Sequence, residues 1–267
     1  MAIKLIVSDL DGTMLDSACR IPAENVRAVR EAQAAGIRVT LATGRMHCSA
    51  LPYAKELGID EPLISYNGAL VKTPSGEEIS AAYLPERTVA EVLEYAFAQG
   101  HYIQLYAQDK LYFAERVDKT LVYEKAAGLK GEPVGKEGML AHTAGVTKLL
   151  VAADNPDVTD ALVDELAQAF RGRADVVRSN PIYIEILLPG VSKAKAMLDL
   201  ADSYGIKAEE IMALGDSDND TEMLKAAGLG VAMGAAAERI KAQADAVTGN
   251  SDDAGLADAV RKYALGR

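Results

Sequence analysis

At both ends of the chain short apolar runs alternate with amphipathic helical patterns, and in the middle that alternation stops. Residues 3–7 (IKLIV) read as a buried strand. Residues 22–36 (PAENVRAVREAQAAG) read as a helix entered at Pro22 and stopped at Gly36, with Val26, Val29 and Ala32 near the helical period. A strand at 37–43, a helix at 49–58 and a strand at 62–66 follow. After Gly190 the rhythm returns: helix 192–205, strand 211–216, helix 219–228, strand 229–233 and helix 235–244. Strands and helices joined this closely imply a parallel sheet covered on both faces.

The middle has another character. Asn67-Gly68 and Pro74-Ser75-Gly76 read as hairpin turns. From Pro85 come a helix, a hairpin around Gln108-Asp109-Lys110, a helix near 118–127 and a loose glycine-rich stretch from Gly128 to Gly145. Strand 146–153, helix 156–170 and strands 174–179 and 181–189 complete it. Six of the 11 tyrosines fall between Pro85 and Leu188, which sets this stretch apart and suggests a surface of ring faces and hydroxyls. Leu84-Pro85 and Leu188-Pro189-Gly190 read as hinges. The plan predicts an α/β fold. A Rossmann-like, doubly wound parallel sheet is built from 1–84 and 189–267, and an α+β domain is inserted at 85–188.

Composition narrows the function classes. A chain of 267 residues, 49% of them hydrophobic, can bury a substantial core. A net charge of −11 argues against a nucleic-acid partner, which calls for clustered Lys and Arg. No run approaches the ~20 apolar residues of a membrane span. Cys19 and Cys48 form no CxxC pair and read as two thiols in a reducing compartment. A cytoplasmic protein, monomeric or homodimeric, is expected.

Ligands of an open parallel sheet sit beyond the carboxyl ends of its strands. Four stretches carry pointed chemistry at or beside that edge: Asp9-Leu10-Asp11-Gly12-Thr13, Thr43-Gly44-Arg45, Lys193, and Asp216 with Asp220 in GDSDND. Each alone has an ordinary explanation: a helix cap, a turn, a solvated lysine, an acidic loop. Together they describe one site. Four carboxylates there would repel one another, by ~4 kcal/mol per pair at 4 Å and an effective dielectric near 20. Unless neutralised, they shift their pKa values or disrupt the fold. A hard divalent cation answers this, and Mg²⁺ suits a few carboxylates, a carbonyl and several waters. Thr43 and the backbone N–H groups around Gly12 and Gly44 can then hydrogen-bond a phosphate.

These residues resemble the haloacid dehalogenase superfamily of phosphotransferases. Asp9-Leu10-Asp11-Gly12-Thr13 is similar to its first motif, Thr43 to the second, Lys193 to the third, and Gly215-Asp216 with Asp220 to the fourth. The insert lies between the second and third motifs, as in the C2 cap class. LATGR, ISYNGA, GVSK and GDSDNDTEML further resemble the Cof-like branch. Ala194 departs from it, since that branch has Gly after the lysine.

The resemblance implies a Mg²⁺-dependent phosphatase of small phosphate esters, sugar phosphates first and cofactor phosphates second. Asp9 would be the nucleophile and Asp11 the acid and base. Lys193 would stabilise charge, and Thr43, Gly44, Lys193 and Asn219 would bind or orient phosphate. Asp9, the Asp11 carbonyl, Asp216 and Asp220 would serve the metal. Arg45, Asn67 and Gly68 are candidates for substrate contact. A phosphomutase of the same superfamily, a signalling receiver and a non-catalytic binding protein are the rivals. A receiver carries its acid pair and its phosphorylated Asp on different strands, unlike the Asp-x-Asp here.

Overall fold

The computed structural model describes residues 2–179 and 181–267. Strand β1 (Leu5–Ser8) is buried along its whole length, as a strand covered on both faces must be. Helix α1 (Ala23–Ala34) follows Pro22 and buries Asn25, Ala28, Val29 and Ala32, one face at helical spacing. Strand β2 (Arg38–Leu41) runs parallel to β1. Helix α2 (His47–Leu57) comes next. Strands β3 (Leu63–Ser65), β4 (Leu70–Lys72) and β5 (Glu78–Ala81) form a small three-stranded sheet. Its β3–β4 pair is antiparallel and turns through Tyr66-Asn67-Gly68.

The chain then enters a second compact unit, Ala81–Val191; the first comprises Met1–Ser80 and Ser192–Arg267. The second unit contains α3 (Glu86–Gln99), β6 (Tyr102–Ala107), β7 (Lys110–Phe113), α4 (Asp118–Ala127), β8 (Glu132–Pro133), α5 (Gly135–Ala141), β9 (Val146–Ala152), α6 (Thr159–Ala169), β10 (Asp175–Arg178) and β11 (Tyr183–Leu187). Its sheet runs β10-β11-β9-β6-β7-β8. One face carries Ile103, Leu105, Leu149, Val151, Ile184 and Ile186 into a core with α3, α5 and α6. The stretch expected to be loose, 128–145, holds β8 and α5, because Met139 is pulled fully into that core.

Among the described residues, none of the six tyrosines between Pro85 and Leu188 is fully exposed. Tyr106, Tyr112 and Tyr123 are buried, and Tyr95, Tyr102 and Tyr183 are half-buried. Tyr123 of α4 lies edge-on to Tyr106 and Tyr183. Beside Tyr106, Lys148 donates to Glu185 at 2.8 Å. Tyr106 donates to Gln104 at 2.6 Å, and Gln104 donates to Tyr102 at 2.9 Å. The hydroxyls are needed where they are, because a buried polar group without a partner is costly.

Returning to the first unit, the chain forms α7 (Lys193–Ser203), β12 (Ile211–Gly215), α8 (Thr221–Ala226), β13 (Leu229–Ala232), α9 (Glu238–Lys241), β14 (Ala246–Val247) and α10 (Gly255–Ala259). The parallel sheet runs β14-β13-β12-β1-β2. Because side chains alternate across a strand, Ile6, Met212 and Leu214 pack with residues of α1, α2 and α10. Leu5, Val7 and Ala213 pack oppositely, with residues of α7 and α8. The helix expected over 235–244 is shorter, since Ala236 is tied back to Met233 in a turn and Ala237 is extended. The C-terminal α10 had no counterpart in the sequence reading. It is held to α1 by Asn25, which accepts from the Ala257 N–H and donates to the Met14 carbonyl. Among the described residues no helix is long and apolar enough to cross a membrane.

Leu214 is fully buried in β12, whereas Leu198 on α7 is 37% exposed. Leu214→Ala is expected to cost ~2–5 kcal/mol of unfolding free energy, and Leu198→Ala to stay within ~0.5 kcal/mol. Urea unfolding of both variants checks this, and equal losses would contradict the placement of the core.

Candidate active site

The site grows from the ends of β1 and β12. Beyond β1, the Asp9 N–H donates to the Leu214 carbonyl of β12 at 2.9 Å, so the two strand ends leave the sheet side by side. The chain then bends at Gly12 (φ +76°). A Cβ there would lie 2.6 Å from an Asp216 oxygen, so the turn closes over Asp216 only with glycine. Thr13, part of the first motif but given no role there, donates its hydroxyl to Asp216 at 3.0 Å. After β12, Asp220 folds back and accepts from the N–H groups of Asp216 and Ser217, both at 3.0 Å. Its other oxygen accepts from Lys193 at 2.7 Å.

Lys193 opens α7, whose preceding Ser192 caps the helix by accepting from the Lys195 N–H. The ammonium is 1% exposed and bonds Asp9 at 2.5 Å as well as Asp220. The Ala194 methyl is buried in the core between α7 and the sheet. The departure at that position is therefore a packing feature, and the lysine beside it keeps its place.

Asp9, Asp216 and Asp220 each bring a carboxylate oxygen within 4.8 Å of the others. Burial pushes the Asp9 carboxyl well above the usual range; Lys193 opposes this, and the charges of Asp220 and Asp216 add to it. Asp216 is pushed up to about 6 by burial and by the charge of Asp220. Burial also works against the charge on Lys193, but Asp220 and Asp9 overcome it and hold the ammonium protonated. One cation does not balance three carboxylates. The donors are all hard oxygens, the set that suits Mg²⁺, Mn²⁺ or Ca²⁺.

The Asp11 side chain is not in this cluster. It is 52% exposed and makes a two-pronged ion pair with Arg45, at 2.7 and 2.6 Å. Arg45, expected as a substrate contact, is committed to Asp11 and lies over the ring of Tyr53. Thr43 is buried, and its hydroxyl accepts from the Arg45 N–H at 3.1 Å, which leaves the hydroxyl hydrogen as a donor. Gly44 approaches Asn67 so closely that a Cβ would sit 3.0 Å from its amide oxygen. Asn67, 6% exposed, accepts from Asn219 at 2.9 Å. Gly68 faces the Ser192 carbonyl, where a Cβ would come to 2.3 Å. Asn67 and Gly68 thus meet protein atoms of the neighbouring loops. Those partnerships link residues up to 152 apart in sequence, and no local pattern announces them.

Residues 6–260 match the family model of the haloacid dehalogenase-like hydrolases. Over 278 residues the chain is 32% identical to phosphatase YwpJ of Bacillus subtilis, covering 96% of this chain and 98% of that protein. It is 30% identical to the 5-amino-6-(5-phospho-D-ribitylamino)uracil phosphatase YcsE of the same organism, over 98% of this chain and 96% of the other. A solved sugar phosphatase of subclass IIB of the superfamily aligns with a TM-score of 0.86 at 25% identity, covering 98% of this chain and 99% of that one. The family match over nearly the whole chain agrees with the parallel sheet and its acidic strand ends: the chain belongs to the haloacid dehalogenase-like hydrolases, in their Cof-like branch, and is a phosphoric monoester hydrolase.

Proposed function

We propose that the enzyme is a Mg²⁺-dependent phosphatase of small phosphomonoesters that works through an aspartyl-phosphate on Asp9. The observation that carries this reading is the cluster of three carboxylates around one buried lysine. Sugar and sugar-alcohol phosphates are the first substrate class, in keeping with the names of YcsE and the subclass IIB sugar phosphatase. The exposed thiols of Cys19 and Cys48 suit a reducing, cytoplasmic compartment.

In the mechanism, an Asp9 oxygen attacks phosphorus in line. The bond from phosphorus to the alcohol oxygen breaks, and Asp11, which must first leave its ion pair with Arg45 and take up a proton from solvent, gives that oxygen its proton. Asp11, now a carboxylate, takes a proton from a water that attacks the phosphoryl group. The bond from phosphorus to Asp9 breaks, inorganic phosphate leaves, and both carboxyl groups return to their starting states. Lys193 holds Asp9 in place, and the Thr43 hydroxyl donates to a phosphoryl oxygen. Asp220 keeps Lys193 and the loop after β12 in position. Asp9, the Asp11 carbonyl, Asp216 and Asp220 are the metal-binding groups, and Mg²⁺ when bound supplies the positive charge that these carboxylates and a phosphate dianion lack.

Phosphate release from a panel of sugar phosphates should require Mg²⁺, stop in EDTA and return with Mg²⁺. Asp9→Asn should lower kcat by about 10³-fold or more with no loss of thermal stability, because the amide cannot attack phosphorus and one crowded charge is gone. Residual turnover near the wild-type rate would contradict the assignment of Asp9.

A second expectation concerns the metal-free protein. Asp216 has a folded-state pKa of about 6 against an ordinary 3.8. A carboxyl raised in this way contributes stability that is fully present below the unfolded value and lost as pH rises through the folded one. In EDTA, the part of wild-type stability that Asp216 contributes should therefore fall between about pH 4 and pH 6, against the opposite slope from carboxylates held low by arginines, such as Asp16 and Glu24. Asp216→Asn, which keeps an acceptor for Thr13, should lack that slope and be the more stable protein near pH 7. Urea unfolding at stepped pH reads the difference, and a variant less stable than wild type near pH 7 in EDTA would contradict the electrostatic account.

A further inference from the structure

Tyr66, Asn67 and Gly68, between β3 and β4, have φ angles of +52°, +56° and +102°, the one run of three consecutive positive values among the described residues. Glycine adopts such angles freely and asparagine at little cost, but for a bulky tyrosine they are an outlier. Tyr66 is nonetheless fully buried. Strain of this kind persists only where the surroundings hold it, and it gathers at functional sites.

Here the surroundings are the other loops of the active site. The Tyr66 N–H donates to the Arg45 carbonyl at 2.9 Å, and the Asn67 N–H to the Thr43 carbonyl at 3.0 Å. The Asn67 amide oxygen accepts from Asn219 at 2.9 Å, and Asn219 in turn accepts from Ser217 at 2.7 Å. Gly68 lies against the carbonyl of Ser192, the residue before Lys193. One strained tripeptide thus braces the loop after β2, the start of α7 and the loop after β12.

We propose that Asn67 is a positioning residue for phosphoryl transfer, acting through Asn219 and the Thr43 backbone and not by touching the substrate. It fixes the loop that carries Asp220, and hence the Asp220–Lys193–Asp9 chain, relative to Thr43. The inference rests on the phosphatase mechanism given above. A displacement of about 1 Å among such groups costs roughly 100-fold in rate, so its signature is in kcat.

The test is steady-state kinetics with p-nitrophenyl phosphate at saturating Mg²⁺ on wild type, Asn67→Gly, Asn219→Ala and the double variant. Glycine keeps the backbone angle and removes only the amide. Asn67→Gly should lose about 10- to 100-fold in kcat, with KM within about threefold and a melting temperature close to wild type. The double variant should be no slower than the slower single variant, since both cut the shared hydrogen bond between Asn219 and Asn67. An unchanged kcat, a loss confined to KM, or losses that multiply in the double variant would each overturn the proposal. Should Asn67→Gly fail to fold, Asn219→Ala carries the test: a lower kcat at unchanged KM supports the proposal, and full kcat overturns it. A wild-type protein that releases no phosphate would instead overturn the mechanism beneath it.

Discussion

The Lys193 ammonium, shared between Asp9 and Asp220, is the interaction on which the site depends. It joins the end of β1, the start of α7 and the loop after β12, across 184 residues of sequence on one side and 27 on the other. Removing Lys193 would leave the buried Asp9 and Asp220 carboxylates uncompensated, a loss of the kind that costs ~3–5 kcal/mol, whereas removing Asp9 leaves the ammonium paired with Asp220. The lysine is therefore held by the same carboxylates it serves. The core is formed from the two ends of the chain, and this triad lies where those ends meet.

Charge balance explains the local sequence around the triad. Three clustered carboxylates need more positive charge than one lysine supplies, and the backbone contributes part of it through the N–H groups of Asp216 and Ser217. Close approach makes its own demands. Gly12 lets the first loop reach Asp216, and Gly215 avoids a Cβ that would fall 2.4 Å from that of Asp220. These glycines are as much a condition of the acidic cluster as the acids themselves.

Much of the architecture was legible in the chain. The alternation of strand and helix at both ends reflects burial on both faces, and β1 and β12 are buried, largely apolar runs that stop at polar loops, whereas the two-residue edge strand β14 left no such run. Strand ends that share one edge must bring their loops together, so the meeting of Asp9, Asp216, Asp220 and Lys193 followed from topology. The direction of a side chain after a turn does not follow. Asp11 is two residues from Asp9, yet beyond it the chain bends at a left-handed Gly12 and its carboxylate pairs with Arg45. Tyrosine content likewise says nothing about exposure: Tyr106, Tyr123 and Tyr183 pack on one another beside the Lys148–Glu185 pair, and Tyr95 and Tyr112 pack on Phe170 and His142. The bracing role of Tyr66-Asn67-Gly68 depends on long-range contacts, and only the Asn-Gly pair hinted at an unusual backbone.

Every step of the proposed mechanism depends on Asp9 as the carrier of the phosphoryl group. The direct measurement is an acid quench during turnover, followed by borohydride reduction, which converts an aspartyl-phosphate to homoserine, and peptide mapping by mass spectrometry. Homoserine is expected at position 9 alone, formed only when both substrate and Mg²⁺ are present. Homoserine at position 11 or 216, or steady turnover with no modified residue in a quench fast enough to catch a single cycle, would contradict the mechanism.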